Sequence, residues 1–77
     1  MTVEQECLAV LAEELGPAAK VFLIRQCRGH LNKEPALLQR SDIDDLTKWC
    51  YTGVQFALGA QVAENVKKGL LAIKQKV

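Results

Sequence analysis

The chain has little of what usually announces a chemistry. It holds three cysteines, Cys7, Cys27 and Cys50, odd in number, far apart and with no C-x-x-C pair. That spacing excludes a disulfide framework and a two-ligand zinc knuckle, and it fits reduced thiols filling space in a cytoplasmic core. There are only two prolines and no run of alternating β-branched residues, which leaves no strand signal. Repeats and low-complexity tracts are absent. No apolar run approaches the ~20 residues needed to span a bilayer, so no membrane is expected. The opening MTVEQEC carries two glutamates and no basic n-region, so no signal peptide is expected and the location expected is cytoplasmic. The net charge of +1 provides no field that would gather nucleic acid or anionic lipid.

What remains is a chain of 77 residues, 49% apolar and 25% charged, the composition of one folded domain spanning residues 1–77. A core of that size supplies only ~3–5 kcal/mol unless a disulfide, a metal, very regular helix packing or a partner chain adds to it. The apolar spacing is helical almost throughout. A first helix is predicted over residues 3–15, with Thr2 and Gln5 at capping-box spacing and Glu4 and Glu6 at the positive end of the helix dipole. Val3, Cys7, Leu8, Val10, Leu11 and Leu15 form its apolar arc, and Gln5, Glu6, Ala9 and Glu13 face away. Gly16, expected in the left-handed conformation, and Pro17, suited to a first helical turn, make a tight corner.

The second helix, residues 17–31, has no clean polar side, which is the mark of a central position. Its basic stems can cover apolar surface while their ends reach water. GHLNKEP, residues 29–35, forms the main break, with a short turn at 36–40. Ser41 is expected to cap a third helix over 42–58, with Asp42, Asp44 and Asp45 in its first turn. On that helix nine residues from Ile43 to Leu58 sweep about 200°, twice the stripe of a one-sided helix, and Gly53 suggests that another backbone comes close. A fourth helix, 60–76, carries Val62, Val66, Gly69, Leu70, Ile73 and Val77 on one stripe, with Glu64 and Lys68 spaced to pair. A break at Gly59 is preferred over one continuous helix. The fold expected is all-α, a small antiparallel four-helix bundle with a short extra helical turn.

Candidate chemistry is sparse. Cys7, Cys27, His30 and Cys50 could make a tetrahedral zinc site, but thiols within existing apolar stripes are better read as core; no metal and no cofactor is expected. A Cys–His nucleophile needs an orienting group and an electropositive pocket, neither of which the pattern provides, so no enzyme is expected. The three aspartates lack the loop length, glycine and terminal glutamate of a calcium loop. Lys67, Lys68, Lys74 and Lys76 fall on different sides of the last helix and make no stripe. A nucleic-acid binder using dispersed Lys and Arg on helices two and four is the alternative reading, with nucleic acid the less favoured partner.

The preferred reading is a non-enzymatic protein-interaction module that self-associates, as a dimer. Aromatic anchors are enriched at interface centres, and the second and third helices carry more apolar arc than a small bundle needs. The contact is assigned to Trp49, Gly53 and Phe56 on the third helix with Val21 and Phe22 on the second.

The stretch LGPAAKVFLIRQ adds a resemblance. Gly16, Pro17, Ala18, Ala19, Lys20 and the run Val21 to Ile24, followed by Arg25 and Arg28, resemble the signature of small helical domains found C-terminally in bacterial signalling proteins, including serine/threonine kinases. The likeness covers residues 8–28. It implies a signalling-associated interaction module and transfers no catalytic residue. The chain departs from that pattern in carrying no kinase in its 77 residues and in a longer, more apolar second half around SDIDDLTKWCYTG.

Overall fold

The computed structural model describes residues 2–75. It is all-α, with no strand among the described residues. Helix α1 runs Val3–Leu15, α2 Ala19–Gln26, α3 Ile43–Leu58 and α4 Ala60–Lys74. A 3-10 turn, Gly16–Ala18, leads into α2, and a π turn, Cys27–Leu31, ends it. Two further 3-10 turns, Pro35–Leu37 and Arg40–Asp42, lie on the path to α3. Lys76 and Val77, expected to end the last helix, lie outside the described residues.

The start of α1 is a reciprocal cap. The Gln5 backbone N–H donates to Thr2 Oγ1 at 3.1 Å, and the Thr2 N–H donates to Gln5 Oε1 at 3.0 Å, so two orphan donors are satisfied. At the other end Gly16 adopts φ 59, ψ −136. This is not the left-handed helical cap expected there but a region still more restricted to glycine. The second helix is not one uniform α-helix over 17–31. It tightens at Pro17 and widens after Gln26, and Asn32, at φ 55, closes it by donating its N–H to the Cys27 carbonyl.

Ser41 is not the cap of α3. The N-cap position of α3 is Asp42, and the 3-10 turn leading into it is capped at Gln39, whose backbone N–H donates to Asp42 Oδ2 at 2.9 Å. Lys33 Nζ meets the same oxygen at 2.8 Å. Those two donors, the lysine first, hold the Asp42 carboxyl below its usual range and anchor the loop to the helix start. Between α3 and α4 the chain breaks at Gly59, at φ 95 and ψ 170, a conformation essentially confined to glycine. The pairs Tyr51–Glu64 and Asp44–Lys74 step apart in opposite directions along the two helices, which is an antiparallel register. Glu64, spaced to pair with Lys68, accepts instead from the Tyr51 hydroxyl at 3.4 Å.

The core gathers one stripe from each helix: Cys7 and Leu11, Ala19, Leu23 and Cys27, then Ile43, Leu46, Cys50 and Val54, and finally Ala63, Val66, Leu70 and Ile73. Thr47 joins it with a hydroxyl that has no hydrogen-bond partner among the described residues, and nothing in the packing explains threonine there over valine. Arg40 ties the far ends together. Its Nη1 donates to Glu6 Oε2 and to the Ile73 carbonyl, each at 3.0 Å, so Glu6 turns inward rather than facing away.

Helices α1 and α4 approach closely at Gly69. A Cβ there would stand 2.5 Å from Val10 Cγ1. Valine is stiff at χ1 in a helix, so the backbones would have to part. Gly69→Ala is therefore expected to destabilise the fold by up to about 2 kcal/mol, an overpacking cost of ~1–3 less the ~1 gained in helix propensity. Chemical denaturation of Gly69→Ala and of Gly69→Ala/Val10→Ala checks this. The double variant should recover part of the loss relative to Val10→Ala alone, and strictly additive effects would exclude the clash.

Candidate interaction surface

The wide apolar sweep of α3 divides into two halves. Ile43, Leu46, Cys50 and Val54 enter the core, while Phe56, Ala57 and Leu58 stay exposed. Phe56 is 94% exposed, Leu58 50% and, on α2, Val21 54%. Trp49 and Gly53 lie between the halves, each half-buried.

These intermediate residues have partners in their own chain. His30 stacks on Trp49 with ring centroids 3.9 Å apart and planes 6° from parallel, and Lys48 Nζ lies 5.4 Å from the Trp49 ring centroid. What comes close at Gly53 is not a backbone. It is the Phe22 ring, whose Cε1 would be 3.1 Å from a Cβ at that position. The residues assigned to the contact from sequence thus fall into three groups. Trp49 is covered by His30, Phe22 and Gly53 close on each other, and Phe56 and Val21 remain open to solvent.

Beside the Phe22–Gly53 contact lies an apolar groove of about 370 Å³. Leu15 and Ala18 from the first corner form one wall, and Ala57 and Leu58 from the last turn of α3 form the other. Phe22, Gly53 and Val54 line it further, and Glu14 is its one charged lining residue. The sequence reading missed this groove because its walls come from two corners forty residues apart. A signal was nevertheless present: from Trp49 to Ala63, fifteen consecutive residues carry no charge. Interface centres are depleted of charge in the same way.

No family model, no curated protein and no solved structure matches the chain.

The other candidate groups are placed differently. Cys7, Cys27 and Cys50 are fully buried free thiols. Burial, then the charges of neighbouring groups, pushes Cys7 up to about 12 and Cys27 to about 11, and raises Cys50 as well. Such thiols are protonated and unreactive at neutral pH. His30 is exposed and stacked on Trp49, whereas Cys27 is buried. Among the described residues no three of His, Cys, Asp and Glu gather as a metal ion would require. Much of the basic charge is engaged within the chain: Arg28 with Glu34, Lys33 with Asp42, Arg40 with Glu6 and Lys74 with Asp44. Lys67 Nζ lies 5.7 Å from the Tyr51 ring centroid. No helix among the described residues is long and apolar enough to cross a membrane.

Proposed function

We propose that the protein is a non-enzymatic protein–protein interaction module, built as a small antiparallel four-helix bundle, that pairs with a second copy of itself. The observation that carries this reading is Phe56, 94% exposed within a fifteen-residue uncharged run and next in sequence to the wall of an apolar groove. An aromatic ring held in water gains by being covered, and a neutral face can meet a copy of itself without opposing like charges. The contact centres on Phe56, Val21 and the exposed side of Phe22 and Gly53, with Trp49 and its His30 cover at the margin. The likeness of residues 8–28 to small domains of bacterial signalling proteins supports a signalling-associated role, and the three unpaired cysteines favour a cytoplasmic location.

Sedimentation equilibrium over a wide concentration range tests the proposal. A reversible dimer is expected, at least as tight in 0.5 M salt as in low salt, because apolar contacts are not screened. A strict monomer at the highest concentration would sink it. Strong binding to generic DNA or RNA that weakens with salt would replace it with the nucleic-acid reading.

A further inference from the structure

We infer that the groove between α1 and α4 receives a basic amphipathic helix of another protein, with a lysine or arginine of that helix set against Glu13. The groove encloses about 410 Å³. Its lips are Ala9 on α1 and Ala72 on α4, both exposed, and Gly69 at its floor lets the two helices close on Val10. Side chains that small leave the space above the contact unfilled and let a third helix approach closely. Two carboxylates, Glu6 and Glu13, stand along it two turns apart on α1. None of these residues belongs to the contact assigned to self-association.

Charge selects the occupant. Both charged residues of the lining are carboxylates, and no cation joins them there. Glu6 is engaged by Arg40. Glu13 is exposed and takes part in none of the ion pairs among the described residues. With Glu14 it stands in the last turn of α1, where no basic residue offsets the pair. That is the negative end of the helix dipole, which repels a carboxylate and attracts a cation. Every lysine and arginine lies beyond residue 19, whereas four of the glutamates lie before it, so α1 is acidic despite the net charge of +1. A basic residue from outside gains the Glu13 carboxylate, the dipole end and an apolar lip along which its stem can lie. A second copy paired two-fold through this groove would set Glu13 against Glu13. Nucleic acid and anionic lipid would meet the same repulsion.

Fluorescence anisotropy tests this with two labelled helical peptides of about five turns. They share a leucine face and differ elsewhere, one bearing lysines and the other glutamates. The lysine peptide is expected to bind, less tightly as salt rises, and the glutamate peptide is not. Glu13→Gln should weaken the lysine peptide by about tenfold at low salt, the worth of one ion pair at a helix end. Asp45→Asn removes the same charge from the exposed first turn of α3 and should leave binding unchanged. Ala72→Leu fills the groove from an exposed position and should abolish binding. In urea, Glu13→Gln should unfold at a midpoint no lower than wild type, because the lost charge sat at the unfavourable end of its helix; its weaker binding is then not a loss of fold. A lysine peptide that does not bind, equal binding of the two peptides, equal effects of Glu13→Gln and Asp45→Asn, or an Ala72→Leu chain that binds as well as wild type would each overturn the assignment. Self-association is read separately, since its residues lie outside this groove.

Discussion

Above about pH 8.5 the folded protein is expected to lose stability steeply, reaching a deficit of about 6 kcal/mol by pH 10. The cause is the buried thiol triad. Cys7, Cys27 and Cys50 are all inaccessible to solvent, and burial, with smaller contributions from nearby charges, raises the acid constants of all three, to about 12 for Cys7 and about 11 for Cys27. In the unfolded chain each thiol titrates near ~8.5. A folded value above the unfolded one means that stability is fully present below the unfolded value and is lost as pH rises toward the folded one. At pH 10 the unfolded state gains about 2 kcal/mol per thiol from deprotonation, or about 6 for the three. That exceeds the ~3–5 kcal/mol available to a core of this size, so half of the molecules should be unfolded before pH 10 is reached. Urea denaturation under reducing conditions and at fixed protein concentration, from pH 7.5 to 10, measures the slope. Cys50→Ala should lower it by one proton's worth, ~1.4 kcal/mol per pH unit, whatever its effect on stability at neutral pH. A wild-type profile flat across that range, or an unaltered slope in Cys50→Ala, would show that the thiols are not held protonated by the fold.

The thiols also mark where sequence reading succeeds. Each lies on a stripe of apolar residues at helical spacing, and that spacing by itself places Cys7 beside Leu11 and Cys50 beside Leu46 and Val54. The helix limits are legible for the same reason: Thr2 with Gln5, Gly16 with Pro17, and Gly59 are local signals whose consequences are local. The start of α3 was not legible, because the 3-10 turn Arg40–Asp42, capped at Gln39, takes up Ser41 and leaves Asp42 at the N-cap position of α3. Lys33 reaches Asp42 from across the loop and supports the turn that starts two residues earlier, at Arg40. The inward turn of Glu6 was hidden likewise, since its partner Arg40 is thirty-four residues away.

The candidate surface was half legible. A helix wheel gives the width of the apolar sweep on α3 but not which edge faces the core. That is decided by where α2 and α4 pack. Because the Phe22 ring rests on Gly53 and His30 covers Trp49, the edge nearest α2 is partly closed within the chain. The end of the helix, beyond the reach of α2, is left open at Phe56 and Leu58. Phe56, the most exposed large apolar residue among those described, was thus among those assigned from sequence, whereas the groove walls Leu15 and Ala18 were not.

Folding and pairing should be coupled in this molecule, and Leu46→Ala exposes the coupling. Leu46 is fully buried in the middle of the core stripe of α3, and truncating such a leucine costs about 2–5 kcal/mol through lost burial and the cavity left behind. Against a core of ~3–5 kcal/mol the isolated variant should be substantially unfolded at room temperature. Pairing as proposed above would act only on the folded form and would stabilise it by mass action, on the order of 2–3 kcal/mol once the chain is about a hundredfold above its dissociation constant. Helicity of Leu46→Ala should therefore rise with protein concentration. In Leu46→Ala/Phe56→Ala the same dilution series should be flat, because a ring exposed to 94% contributes little to the monomer, within about 0.5 kcal/mol, and much to the contact. Circular dichroism across the series reads both variants. A loss below 1 kcal/mol in Leu46→Ala would place Leu46 outside the core. Helicity in Leu46→Ala that ignores concentration would separate the fold from self-docking and leave Phe56 without a role in either.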